Sequence, residues 1–155
     1  MSVFLIVIAA TLTALSTIMK SSTASEQWGH TVGDTQTGMY SMTRELRQAQ
    51  NVTLVTGYVV SGDVVVGGAI QHVLYQCDLA STCTRASSAV ATPARGASGV
   101  SIINYVQNYA LGVPVFTTPT SRYVQVTVKV RSAGSLTTAH THVYSLTDGF
   151  FTRNT

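Results

Sequence analysis

From Ser2 to Met19 the chain reads SVFLIVIAATLTALSTIM, eighteen residues without a charge, a glycine or a proline. At ~1.5 Å rise per residue a helix over this run is roughly 27 Å long, close to a bilayer hydrocarbon core of ~30 Å. Lys20 ends it. The pattern predicts a membrane-anchoring transmembrane helix over residues 1–20, its Thr and Ser hydroxyls bonding back to helix carbonyls. A buried core helix fits poorly, because a small domain rarely surrounds a helix that is apolar on all sides. A secretory leader would need basic residues ahead of the run. None precedes it, although Ser21-Ser22-Thr23-Ala24-Ser25 offers a cleavage site.

Residues 21–50 continue the helix in amphipathic form. Trp28, Val32, Met39, Met42, Leu46 and Ala49 recur at helical spacing, with Thr35 filling the gap. Glu26, His30, Asp34, Gln36, Arg44, Glu45, Arg47 and Gln48 take the other face. Gly29, Gly33 and Gly38 each cost ~1 kcal/mol against Ala, so a weak or bent middle is expected around residues 29–38.

After Val52 the period changes to two. NVTLVTGYVV gives β-branched runs broken by Gly57, Ser61-Gly62-Asp63 is expected as a turn, and DVVVGG as a strand closed by Gly67-Gly68. AIQHVLYQC alternates as a further strand, and residues 91–99 and 116–121 are expected as loops. VSIINYVQNYA fits a strand or a short helix. The clearest strand is Arg122 to Arg131, with Val124, Val126, Val128 and Val130 on one face and Tyr123, Gln125, Thr127, Lys129 and Arg131 on the other. Ser132 to Thr138 is expected to turn the chain back into a strand at residues 141–146. The sum is an α+β fold, a long N-terminal helix on an antiparallel sheet, with a β-rich globular domain over 51–155.

Composition narrows the picture. Only 10% of residues are charged, and the formal net charge is +3. After Asp78 six basic residues (Arg85, Arg95, Arg122, Lys129, Arg131 and Arg153) face Asp148 alone, a balance that favours anionic neighbours without choosing among them. Cys77 and Cys83 have no second pair to complete a zinc site. Behind a membrane segment they read as a disulfide closing a short loop, worth ~2–3 kcal/mol.

Taken in order, five stretches resemble the type IV pilin-like proteins, specifically the minor pilins and minor pseudopilins of the J/W type. They are SVFLIVIAATLTAL, MTRELRQAQNV, VLYQCDLASTCTR, VQVTVKVR and DGFFTRN. The resemblance implies a pilin-like fold and a structural, non-enzymatic role in a type IV pilus or a type II secretion-like pseudopilus. It implies other pilin or pseudopilin subunits as partners through the N-terminal helix. It also implies single-pass membrane anchoring with the globular domain outside the cytoplasm or on the cell surface. The family's Gly-Phe-Thr-Leu-Val-Glu-like processing signature is absent, so the natural start is expected upstream of Met1, the alternative being a remnant that is not processed normally. Glu26 and Glu45 lie too far along to stand for the signature's glutamate.

Candidate chemistry is sparse. No cofactor motif, metal set or catalytic residue is assigned, for no GxSxG setting or phosphate-binding glycine loop is present. His140-Thr-His142 is the nearest approach to a metal pair, and Asn51-Val52-Thr53 matches a glycosylation sequon. Tyr123, Lys129 and Arg131 share a strand face and are candidate contacts to an anionic polymer, single-stranded nucleic acid or cell wall. The outer face of an antiparallel sheet accounts for the same three residues with no ligand. A membrane-anchored domain binding such a polymer is therefore the alternative to the pilin-like reading.

Overall fold

A computed structural model describes residues 2–79, 81–131 and 143–152. Helix α1 (Ser2–Gln48) is followed by strands β1 (Gln50–Thr56), β2 (Val59–Val66), β3 (Ala69–Leu79), β4 (Thr82–Ser88), β5 (Val100–Asn104), β6 (Phe116–Thr120), β7 (Tyr123–Arg131) and β8 (Val143–Phe151). The strands form two antiparallel meanders, β1-β2-β3-β4-β5 and β6-β7-β8. The architecture is α+β, with the helix packed on antiparallel sheet, as its residue pattern predicts.

α1 runs without interruption through residues 29–38, where a weak middle is expected. Gly38 explains part of this. A Cβ there would lie 2.2 Å from the Ile102 carbonyl oxygen, so the missing side chain lets the helix backbone approach β5. Thr31 and Thr35 are buried on the same face, and each hydroxyl donates to a carbonyl one turn back, that of Gln27 at 2.9 Å and that of Thr31 at 2.7 Å. The polar atoms are thereby satisfied, so hydroxyl-bearing residues can occupy an otherwise apolar seam.

One core joins all three layers. Met39, Met42, Leu46 and Ala49 come from the helix, Val60, Val73, Tyr75 and Ile103 from the larger sheet, and Phe116, Val124, Val126, Val128, Val130 and Phe150 from the smaller. The four β7 valines are the inward half of a strict alternation, and full burial of each contributes about 1.5–3 kcal/mol. A second, smaller cluster (Val59, Leu74 and Ala86) lies apart from it and packs against Ala97 of the loop that follows β4. The larger sheet therefore carries apolar contacts beyond those facing the main core, which explains why β3 is buried continuously from Val73 to Asp78.

Two expectations, for β2 and β6, are corrected. Ser61-Gly62-Asp63 lies inside β2, and the chain turns instead at Gly57-Tyr58, because the register of β2 on β3 runs unbroken from Val59 to Val66. Residues 116–120 form a strand, not a loop. Pro119 is tolerated there because β6 pairs only with β7 and stands at the sheet edge. VSIINYVQNYA resolves as β5 and a following turn. The Gly67-Gly68 turn stands as expected, both glycines at positive φ, the geometry of a tight two-residue hairpin. The Ser132–Thr138 turn lies outside the described residues.

Single-pass membrane anchoring is also corrected. Among the described residues no helix is long and apolar enough to cross a membrane. The described apolar side chains between Ile8 and Met19 do not form a continuous run. They are interrupted by Thr11, Thr13, Ser16 and Thr17, and Lys20 follows.

Candidate functional site

Three features carry chemistry: the polar contacts that hold the helix and loops on the sheets, the outer face of β7, and the uncovered half of α1.

Glu45 sits on the helix face that the sequence pattern assigns to solvent, yet it is turned into the domain. Arg85 of β4 donates to both of its carboxylate oxygens, through Nε at 2.7 Å and Nη2 at 2.5 Å, and the Tyr75 hydroxyl of β3 donates to the same group. Burial pushes the Glu45 carboxyl up, but the bonds from Arg85 and Tyr75 outweigh it and hold the pKa below the usual value. Burial, then the Glu45 hydrogen bond, raises that of Tyr75, and the Glu45 hydrogen bond raises that of Arg85. This is a bidentate, charge-assisted link between helix and sheet.

A second pair pins the loop that covers the far side of the larger sheet. Asp78 is buried, accepts from the Gln76 amide at 2.6 Å, and is ion-paired with Arg95. Gln76 in turn accepts from the Gly96 backbone N–H at 2.8 Å. Arg85 and Arg95 are thus spent on Glu45 and Asp78, carboxylates that precede them in the chain. The basic excess of the second half is smaller in the fold than in the residue order. Asp63, the third paired acid, has its pKa lowered first by the Asn51 amide at 3.1 Å and then by His72, whose Nδ1 lies 2.6 Å away. The amide nitrogen of the Asn51 sequon is therefore engaged in a hydrogen bond.

Cys77 and Cys83 form the expected disulfide, across the β3–β4 hairpin with a Cα–Cα distance of 4.1 Å. Tyr123, Lys129 and Arg131 all lie on β7 and are all half-buried, but they are not one cluster. Tyr123 stands six residues from Lys129, roughly 20 Å along a strand, and its ring packs on Phe151 with centroids 5.1 Å apart, over Gly149. Lys129 and Arg131 remain neighbours at the other end. Residues His140 and His142 lie outside the described residues.

The sequence pattern does not reveal what lies beside those two cations. β6 covers only the first part of β7, and the segment after β5 takes over the remainder of that edge. Val106 bridges Val130, the Tyr105 carbonyl accepts from the Arg131 N–H at 3.0 Å, and the Gln107 N–H donates to the Lys129 carbonyl at 2.7 Å. The wholly buried Asn108 side chain completes the edge, donating to the Thr127 carbonyl at 2.8 Å and accepting from the Lys129 N–H at 2.6 Å. Tyr105 is thereby set one strand over from Arg131, at positive φ (61°) and 44% exposed. The only advance signal for it was an aromatic residue in a segment whose alternation is imperfect.

On α1, every described side chain from Ile8 to Gln27 is exposed, including Leu12, Leu15, Ile18 and Met19. Contacts to β2, β5, β7 and β8 come from the later part of the helix, where the buried positions begin at Thr31. Comparison of the chain with protein-family models, with curated proteins and with solved structures finds no match.

Proposed function

We propose that the chain is a structural minor subunit of a pilin-like filament, of the type IV pilus or type II secretion pseudopilus kind, assembling through its N-terminal helix with other such subunits. The observation that carries this reading is the division of α1 into a part packed on its own sheets and a part left uncovered. About 30 Å of helix, Ile8 to Gln27, extends with its described side chains exposed. Ile8, Leu12, Leu15 and Met19 follow one another at spacings of four, three and four, the seam by which helices pack together. That seam lies ahead of the part of the helix packed on the sheets, where burial begins at Thr31, so the chain's own sheets do not cover it. Exposed apolar surface of this kind is stabilised by association with a like surface. The resemblance of the five sequence stretches to minor pilins supplies the kind of partner. No membrane span enters this reading.

The test is association. Light scattering of the full-length chain, alone and mixed with candidate pilin-like subunits, is expected to report complexes that a Leu12→Glu, Leu15→Glu double variant loses. Cross-linking from Leu15→Cys in the producing cell is expected to capture a helix of another subunit. A chain that stays monomeric at every concentration and yields no such cross-link overturns the proposal.

A further inference from the structure

We infer that the end of β7 and the segment beside it form a binding site for single-stranded nucleic acid, with Lys129 and Arg131 holding the backbone and Tyr105 stacking on a base. Lys129 and Arg131 are two residues apart on one strand face, about 7 Å, and neither side chain takes part in a salt bridge among the described residues. That distinguishes them from Arg85 and Arg95, which are neutralised by carboxylates. The stretch of chain around them adds no acid. Between Asp78 and Asp148 the chain contains no Asp or Glu, and Asp148 accepts from Thr43 of the helix at 2.9 Å. The residues opposite the two cations on β8 are Ser145 and Val143. An uncompensated pair of cations is a site for phosphate or another polyanion.

Tyr105 supplies what charge alone does not. Its main-chain carbonyl is held by the Arg131 N–H, so the residue is fixed beside Arg131 and remains 44% exposed. A bulky residue at φ 61° is a backbone outlier that glycine would occupy without strain. Strain kept at an exposed aromatic position points to use of the ring. Tyr109, 60% exposed, follows on the same segment and packs edge-on against Tyr58. An exposed tyrosine whose backbone is bonded to the strand that carries the paired cations matches the stacking-plus-charge mode of single-strand binders. A duplex does not fit it, because its bases are already stacked and unavailable to the ring. The inference does not rest on the filament reading, and either can fail alone.

The experiment is fluorescence anisotropy with the full-length chain and a labelled oligothymidylate of ~16 nucleotides at low ionic strength. Binding is expected to weaken with salt at a slope near −1.4 in log K against log concentration, about 0.7 for each of two phosphates. Lys129→Ala or Arg131→Ala is expected to halve that slope. Tyr105→Ala is expected to weaken binding about tenfold with the slope unchanged, the signature of a lost stack. Tyr105→Gly is expected to lose binding equally while its melting temperature holds or rises, which separates ring loss from unfolding. The inference is overturned by absence of binding at low salt, or by Tyr105→Ala binding as the parent does. Duplex bound as tightly as single strand, or a sulfated polysaccharide competing equally in parent and Tyr105→Ala chains, overturns it too.

Discussion

Arg85 reaches Glu45 with two hydrogen bonds, and Tyr75 adds a third to the same carboxylate, so three side chains from three elements share one negative charge. Glu45 and Arg85 are only 18% and 28% exposed, and removing either partner leaves the other poorly solvated. Arg85→Ala is expected to destabilise the fold by about 2–3 kcal/mol in urea unfolding, toward the lower end for a broken buried pair because both groups retain some water. Glu45 also sets an acid limit. Its carboxylate form is favoured in the folded chain, so the unfolded chain binds more protons once the pH falls below the ordinary value of 4.5. The Glu45 contribution is therefore full above that value and is lost as the pH falls through the lower, folded pKa. Asp63, also lowered, acts in the same direction. In melting temperature against pH, Glu45→Gln is expected to start lower at neutral pH and to flatten part of the acid limb. A limb unchanged in slope would remove Glu45 from this role.

At the scale of elements, the three helix glycines separate into two kinds. A Cβ at Gly29 or Gly33 meets nothing within 4 Å, whereas one at Gly38 would meet Ile102 and Ile103 of β5. Gly29→Ala and Gly33→Ala are each expected to stabilise by roughly 0.5–1 kcal/mol, through helix propensity and reduced freedom of the unfolded chain. Gly38→Ala is expected to destabilise by about 1–3 kcal/mol from overpacking. Thermal melts of the three single variants check the split, and equal effects at all three sites would mean that the helix does not sit as close to β5 as described. The same residue type thus has opposite consequences within ten positions of one helix. Propensity along the sequence marked all three as weak points, because the neighbour that distinguishes Gly38 lies more than sixty residues away.

For the whole molecule, stability and association belong to different parts of α1. Leu46 is fully buried in the shared core, and Leu46→Ala is expected to cost about 2–5 kcal/mol. Leu15 is 59% exposed, and Leu15→Glu is expected to leave the melting transition of the sheet domain within ~0.5 kcal/mol of the parent. Unfolding followed by circular dichroism distinguishes them. A large loss of stability in Leu15→Glu at a concentration where the chain is monomeric would show that the first half of the helix also supports the domain.

Local pattern by itself determined a long N-terminal helix, though not its continuity through residues 29–38, and with it the seam that packs it, the alternation of β7, the hairpin turn at Gly67-Gly68 and the short disulfide. Each is written into residues a few positions apart, through a period of 3.6 or 2, a paired-glycine turn, or two cysteines six apart. Tertiary structure decided the rest. β2 runs through Ser61-Gly62-Asp63 because an unbroken partner, β3, lies beside it, and β6 forms around Pro119 because only one of its edges needs pairing. Glu45 turns inward because Arg85, forty positions on, meets it there. Tyr105, not Tyr123, comes to stand next to Lys129 and Arg131, because β6 stops short and the segment after β5 completes the edge of β7. Partners so distant in sequence leave no periodic signal, and only the packing of the two sheets brings them together.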